Sequence, residues 1–251
     1  MVGIAVNPQR DPELEYATKT RTFLQSRGVL VVDAGEGSGL DADFWVVLGG
    51  DGTMLRCAHT AAEHSIPLMG INLGTLGFLT AAEAHDGFIA LAKVLDGKYI
   101  TEERMMLSVQ SRLALNDVFV GATGGLKNFS LYVNGALLDT IRADGILVAT
   151  PTGSTAYNLS AGGPILMPGS EMMVVTPICP HSLSTRPLVV GARDVVNIVA
   201  HDRATITMDG IHLRELTPGE GITVEKADAI SRIIKTDETH FYDILRTKKI
   251  M

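Results

Sequence analysis

Cysteine is scarce in this chain of 251 residues, which has only two, Cys57 and Cys179. Two cysteines so far apart form neither a disulfide framework nor a metal-ligand spacing. Long apolar runs are lacking too, and none reaches the ~20 residues that a membrane-spanning helix needs. The chain starts with a strand-like segment at 2–6, which leaves no room for a signal or transit peptide. These absences predict a cytoplasmic protein without a membrane partner.

An excess of positive charge is also missing, because 21 Lys and Arg residues stand against 28 Asp and Glu, a net charge of −7. Nucleic-acid binding depends on clustered cations, so we expect no nucleic-acid partner. A small anionic ligand stays possible, because a local group of backbone N–H donors can outweigh the charge of the whole chain.

Two common phosphate-binding patterns do not occur in the sequence. There is no Gly-x-x-x-x-Gly-Lys-Ser/Thr loop and no Gly-x-Gly-x-x-Gly dinucleotide fingerprint. No Ser/His/Asp constellation is recognisable from spacing either. A phosphate site in this chain must therefore use backbone N–H groups and a divalent cation, and the sequence predicts no dedicated set of protein ligands for a metal.

One glycine-rich stretch offers such N–H groups. It follows an apolar run at 44–48 that is typical of a buried strand and precedes residues at helical spacing. Its residues Gly49, Gly50, Gly52 and Thr53 are here called the phosphate cradle, because glycines let a ligand approach the backbone and a helix N-terminus favours anions. Asp51 lies among them. A carboxylate beside phosphate is repelled unless it holds a metal ion or takes a proton from a substrate hydroxyl. The alternative is a tight turn in which Asp51 caps the helix.

The apolar pattern predicts two kinds of fold. Residues 1–100 alternate strands and amphipathic helices, which indicates an α/β Rossmann-like domain with a parallel sheet. Ligands bind at the carboxyl ends of such strands, where the cradle and a second glycine-rich turn at 72–79 lie. Residues 101–228 carry short apolar runs between turn residues, which is typical of a β-sandwich-type domain. The tail, 229–251, predicts a strand and a helix that pack back on the first domain.

Polar residues interrupt the apolar runs of the second half. Asn116-Asp117 lies within the strand-like run 113–120, where burial without partners would cost about 2–7 kcal/mol per group. The run 150–164 mixes hydroxyls, glycines and a tyrosine. These groups suit a ribose, a phosphate or a base, but they also suit a plain turn with Ser154 as a helix cap. Asp209-Gly210 predicts a hairpin turn.

Five segments, in this order, resemble those of NAD kinases. They are Gly49–Thr53, Gly70–Leu79, Asn116-Asp117, Asp144–Gly163 and Pro180–Pro187. The resemblance spans nearly the whole chain, and the block at 143–163 is its most specific part. The cradle by itself is less specific, because diacylglycerol and sphingosine kinases carry a similar one.

The resemblance implies phosphorylation of the 2′-hydroxyl of the adenosine ribose of NAD, which gives NADP. ATP or polyphosphate would be the donor, with a divalent cation such as Mg²⁺, and the protein would be a homodimer or homotetramer. Asp51 matches the general base of the family. The residues that match substrate contacts are Gly52, Arg56, Asn116, Asp117, Lys127, Arg142, Asp144, Thr155, Ala156, Tyr157, Asn158, Leu159 and Ser160. Asp117 stands where glutamate is more usual, and Ile211 stands where many bacterial members have glutamine.

Two other functions share part of this pattern. A lipid kinase would use the same cradle on a lipid hydroxyl and would leave NAD unchanged, but the block at 143–163 argues against it. A sensor that binds NADP without catalysis would keep the pocket and have no turnover, and the intact Asp51 argues against that.

Overall fold

The computed structural model describes residues 1–74, 77–122, 125–236 and 241–250, and the chain divides into two compact units. Unit 1 comprises Met1–Arg104 and Ile230–Met251, and unit 2 comprises Met105–Ala229. That the stretches 1–100 with 229–251 and 101–228 are separate domains stays a prediction. No helix in the described ranges is long and apolar enough to cross a membrane.

Unit 1 is built on parallel strands. Its elements are β1 (Val2–Val6), α1 (Glu15–Ser26), β2 (Val31–Asp33), β3 (Phe44–Gly49), α2 (Asp51–Glu63), β4 (Leu68–Asn72), β5 (Ala82–Glu83) and α3 (Gly87–Leu95). The strand order is β2-β1-β3-β4 with β5 beside β4, and each of these pairs is parallel. Strands buried on both faces occur as continuous apolar runs, which is why β3 and β4 were recognisable in the sequence. The cradle follows β3 and the second glycine-rich turn follows β4. Thr75 and Leu76 of that turn lie outside the described residues.

Unit 2 is mostly β. After β6 (Ile100–Val109), which leads out of unit 1, come β7 (Arg112–Ala114), β8 (Asp117–Gly121), β9 (Lys127–Val133), β10 (Ala136–Ala143), β11 (Gly145–Ala149), a 3₁₀ turn (Gly153–Thr155), α4 (Tyr157–Ser160), β12 (Met172–Ile178), β13 (Leu188–Gly191), β14 (Val196–Ala200), β15 (Ala204–Met208) and β16 (Ile211–Leu216). One sheet has the order β13-β12-β11-β8-β15-β16 and is antiparallel. The strands β10-β9-β14 are antiparallel as well. Both sets of strands bury side chains in one shared core, as in a sandwich.

The last strand, β17 (Gly221–Lys235), runs from unit 2 into unit 1. Its first part pairs with β14 in unit 2, and Ile233 pairs in parallel with Leu68 of β4 in unit 1. The helix α5 (Phe241–Thr247) follows in unit 1 and buries Ile244 and Leu245. The predicted fold class is confirmed, including a tail that packs on the first domain as a strand and a helix.

Three local assignments were wrong. The run 113–120 is two strands, β7 and β8, because the backbone between them turns toward Asp209. The strand β10 was not predicted and β16 was implied only by the hairpin turn at Asp209-Gly210, because most of their side chains are exposed or half-buried and form no apolar run. Ser154 does not cap a helix, since its hydroxyl donates to the carbonyl of Pro151 at 2.6 Å and accepts from the N–H of Leu166 at 3.0 Å.

Candidate active site

The phosphate cradle connects β3 to α2. Gly50 precedes the helix and Asp51 is its first residue, and no side chain caps this end. The alternative in which Asp51 caps α2 is therefore wrong. A Cβ on Gly52 would meet no atom within 4 Å, so packing does not demand glycine at this position and space beside the backbone is left open. A Cβ on Gly49, in contrast, would lie 2.3 Å from Oγ1 of Thr53.

The carboxylate of Asp51 is held by the second glycine-rich turn. The N–H of Phe78 donates to Oδ2 at 2.8 Å, and the N–H of Leu79 donates to Oδ1 at 2.9 Å. Gly77 permits this approach, because a Cβ there would lie 2.2 Å from Oδ1. A carboxylate has about four acceptor positions, so two amides leave capacity for a hydroxyl of a ligand. The side chain is thus fixed in direction and still able to accept a proton.

A cavity of about 300 Å³ opens on this carboxylate within unit 1. Its lining is Asn7, Gln9, Arg10, Gly50, Asp51, Gly52, Thr53, Arg56, Asn72, Gly74, Gly77 and Lys248. Among these residues three are cationic and one is acidic, and none is aromatic. The lining therefore favours a polyanion, and its cations offset the repulsion between phosphate and Asp51.

In unit 2, the hairpin at Asp209 organises the Asn116-Asp117 pair. Asp209 has a φ of 51° and Gly210 a φ of 76° between β15 and β16, so the predicted turn is confirmed. The carboxylate of Asp209 accepts from the N–H groups of Leu115 at 2.8 Å, Asn116 at 2.7 Å and Asp117 at 3.0 Å. These three amides are satisfied by a side chain more than ninety residues away, a role that the turn pattern did not reveal.

The carboxyl group of Asp117 is an unusually weak acid for an aspartate. Its residue is only 6% exposed. Burial, and then the neighbouring charge of Asp209, raise the pKa of Asp117 to about 7. Near neutral pH the group is partly protonated, and in that form it can donate a hydrogen bond as well as accept one.

This raised pKa predicts a pH-dependent stability that Asp117→Asn removes. Between pH 4 and 7 the carboxyl group of Asp117 is ionised in the unfolded chain but keeps its proton in the folded protein, so the wild-type free energy of unfolding falls as pH rises. The full loss of stability is reached above pH 7. Between pH 4 and pH 8, we expect the free energy of unfolding of Asp117→Asn to rise relative to that of the wild type by about 3–4 kcal/mol, which is an upper bound. Urea unfolding at both pH values measures the change.

The control for this experiment is Asp41→Asn, which alters an exposed aspartate. If the free energies of unfolding of the wild type and of Asp117→Asn differed by the same amount at pH 4 and at pH 8, the expectation would be contradicted.

An aromatic surface lies beside Asp117. The rings of Phe119 and Tyr157 meet edge to face, with centroids 5.9 Å apart. Gly121 and Gly145 pair across β8 and β11, and a Cβ on either would lie 2.2 Å from the Phe119 ring. Burial first, and then the charges of Cys179, Asp144 and Asp117, raise the pKa of Tyr157. An aromatic surface with carboxylates near enough to act on it suits a nucleoside.

The other predicted contacts of unit 2 differ in what they offer. Asn158 is completely buried, its two amide hydrogens donate to the carbonyls of Ser154 and Pro164, and its oxygen accepts from Thr176. The side-chain amide of Asn158 therefore shapes the loop, and its contact with a substrate stays a prediction. Lys127 and Arg142 lie on the neighbouring strands β9 and β10, and Arg142 is exposed. The half-buried or exposed members of the 155–160 loop are Thr155, Ala156, Tyr157, Leu159 and Ser160.

Several residues of these sites were not recognised in the sequence. They are Arg10 and Lys248 in the cavity, Phe119 on the aromatic surface and the carboxylate of Asp209. Arg10 lies in the turn after β1, at the same edge of the sheet as the cradle, so its position was a usable signal. Lys248 comes from the tail, which was predicted to pack on the first domain, but no local pattern indicates that this lysine reaches the cavity.

Both halves of the chain match models of known protein families. Residues 36–99 match the model of the ATP-NAD kinase N-terminal domain, and residues 115–236 match that of the ATP-NAD kinase C-terminal domain. The NAD kinase of Moorella thermoacetica is 39% identical and covers 98% of this chain and 88% of its own length. That of Syntrophotalea carbinolica is 41% identical, covering 82% of this chain and 77% of its own.

Among solved structures, an NAD kinase from Archaeoglobus fulgidus in complex with ATP superposes with a TM-score of 0.86 at 28% identity and full coverage of both chains. Yeast NADH kinase complexed with NADH has a TM-score of 0.88 at 24% identity, with 100% of this chain and 87% of that chain covered, and supports the fold alone.

The fold and the match of both halves define a kinase, a phosphotransferase whose phosphate cradle lies after β3. More narrowly, the chain belongs to the NAD kinase family. The lipid-kinase alternative is not supported, because both family models describe NAD kinases.

Proposed function

We propose that the protein transfers the terminal phosphoryl group of ATP, or of polyphosphate, to the 2′-hydroxyl of the adenosine ribose of NAD, with Asp51 as the general base. The observation that carries this proposal is the Asp51 carboxylate, which two backbone amides fix at the wall of a cationic cavity. Family membership supplies the reaction class, and the side-chain roles are our inference.

The chemistry follows from the acidity of a sugar hydroxyl, whose pKa lies far above neutrality. As the 2′-oxygen bonds to the terminal phosphorus, its proton passes to the Asp51 carboxylate and the bond from phosphorus to the bridging oxygen breaks, which releases the shortened donor. A base in hydrogen-bond reach contributes typically 10²–10⁴-fold. The cavity cations Arg10, Arg56 and Lys248 neutralise the donor phosphates, which is the larger part of catalysis in phosphoryl transfer.

Unit 2 supplies recognition in this proposal. Asn116 and Asp117 bind ribose or base, and the ring of Tyr157 packs against a base or ribose. Asp144, Lys127, Arg142 and the loop residues 155–160 are further predicted contacts of the dinucleotide, and Gly52 of the phosphate cradle in unit 1 is another. Support comes from the aromatic surface of Phe119 and Tyr157, on which the charges of Asp144 and Asp117 act, and from the Asp209 carboxylate that holds the 115–117 backbone.

A divalent cation, in practice Mg²⁺, would arrive with the donor. Within the described ranges no group of three or more His, Cys, Asp or Glu side chains could hold a metal. Mg²⁺ is commonly bound through substrate phosphates and waters with one or two carboxylates, and Asp51 is the carboxylate that lines the cavity, beside side-chain oxygens of Asn7, Gln9, Thr53 and Asn72. The ion screens the donor charge when bound.

The test is an assay of purified full-length protein with Mg²⁺, NAD and either ATP or polyphosphate, in which an NADP-specific dehydrogenase reports the product. We expect NADP to accumulate in proportion to enzyme. Parallel reactions with diacylglycerol or sphingosine micelles should give no phosphorylated lipid. Tight NADP binding without NADP formation would instead indicate a sensor, and would overturn the proposal.

Assembly and location remain inferences from the family resemblance. We infer a homodimer or homotetramer that acts in the cytoplasm. Sedimentation equilibrium of the purified chain, with a monomer mass of 26.8 kDa, decides the first point. Fractionation of the source cells decides the second.

A further inference from the structure

A buried cation reaches the backbone that holds Asp51. Lys235, the last residue of β17, donates from Nζ to the carbonyl of Thr80 at 2.7 Å and to that of Phe78 at 3.3 Å. The tail thus brings a lysine to the turn whose N–H groups bind the Asp51 carboxylate. The mechanism proposed above does not use this lysine.

The connection passes through a single peptide group. The carbonyl of Phe78 and the N–H of Leu79 belong to the same peptide unit, and that N–H donates to Oδ1 of Asp51. A cation at the carbonyl oxygen draws electron density through the conjugated amide and strengthens the N–H as a donor. The second contact, to Thr80, anchors the turn, because the following N–H of Ala81 donates to Gly70 of β4 at 2.7 Å.

We propose that Lys235 is a positioning residue for Asp51, an inference that rests on the proposed function. Lys235 acts through the Phe78–Leu79 peptide to orient and polarise the amide that holds the catalytic carboxylate. The lysine touches neither donor nor acceptor. Its contribution is to keep the carboxylate directed at the 2′-hydroxyl while phosphate arrives.

Charged groups around Lys235 fit this role. The charges of Glu102 and Arg104 of β6 and of Asp51 of α2 act on Lys235, and Glu102 also pairs with Arg104. Burial lowers the pKa of Lys235 to about 8, with Arg104 acting in the same direction and the charges of Glu102 and Asp51 opposing it. The ammonium form is therefore present below pH 8 and is lost above it, whereas an arginine at this position would stay charged.

The experiment compares Lys235→Met, Lys235→Gln and Lys235→Arg in the full-length protein, with exposed Lys98→Met as the control. We expect kcat for NAD phosphorylation to fall ~10-fold in Lys235→Met, within the ~10²-fold that a misplaced group can cost. KM for NAD should change little, because no substrate contact is removed. Lys235→Gln, a neutral donor, should be intermediate, and Lys235→Arg should restore most of kcat. Thermal midpoints identify any variant that is merely unfolded.

Two further readouts separate positioning from a general structural role. The wild-type kcat should decline above pH 8, and Lys235→Arg should extend activity to higher pH. In ¹H–¹⁵N spectra, the amide proton of Leu79 should move upfield in Lys235→Met, because its hydrogen bond weakens. The spectral readout does not depend on turnover, so a wild type inactive toward NAD overturns the proposed function and leaves this test standing. An unmoved Leu79 signal, or wild-type kcat in Lys235→Met, overturns the positioning role.

Discussion

Asp51→Asn is expected to lower the turnover of NAD phosphorylation by ~10²-fold or more while NAD binding persists. The amide oxygen of asparagine can replace one carboxylate oxygen toward the N–H of Phe78 or Leu79, but it is no base at neutral pH. The 2′-hydroxyl proton then has no acceptor on the protein, and the barrier rises by the share that a general base supplies.

Single-turnover kinetics and calorimetric NAD affinity together measure this effect. Because Asp51 acts on the reacting hydroxyl and is not among the recognition residues of unit 2, the loss should appear in kcat. The matched control is Asp41→Asn, an exposed aspartate of the same unit, which should leave both constants unchanged. If Asp51→Asn turned over at near the wild-type rate, Asp51 would be excluded as the base.

The asparagine also introduces two hydrogen-bond donors where the turn already presents two amide donors. Some of the loss could therefore come from a displaced turn. A thermal midpoint close to that of the wild type, together with unchanged NAD affinity, attributes the loss to the missing base.

The parallel sheet of unit 1 could be predicted because each central strand is buried on both faces and so forms an unbroken apolar run. The strand β10 could not, because its side chains from Ala136 to Thr140 are exposed and carry no periodic signal. In β17 apolar and polar residues alternate from Gly221 onward, and only its end, from about residue 229, was apolar enough to be recognised.

The candidate site divides in the same way. Asp51 was found because glycines flank it in the sequence. An acidic residue within an anion-binding turn can be recognised from these neighbouring residues alone. The amides that fix it lie 27 and 28 residues away, and the carbonyls bound by Lys235 lie more than 150 residues from that lysine. Contacts between residues so far apart in the sequence leave no local pattern. They depend on the order of the strands in the sheet.

Gly77→Ala is expected to reduce turnover by ~10²-fold with a nearly unchanged thermal midpoint. A Cβ at this position would lie 2.2 Å from Oδ1 and 2.8 Å from Cγ of Asp51, well inside contact distance. The carboxylate is the end of a short side chain beside an open cavity, so it yields before the backbone does. It would rotate away from the N–H groups of Phe78 and Leu79 and lose the direction that they impose.

Steady-state kinetics with NAD and the donor varied separately measure this loss, which should fall on kcat because the base is still present but misdirected. The control is Gly169→Ala, since a Cβ there meets no atom within 4 Å, and its activity should equal that of the wild type. A Gly77→Ala enzyme with normal kcat would mean that the turn shifts as a body and carries the carboxylate with it. In that case the direction of Asp51 would be set by α2, and the amides of the turn would follow it.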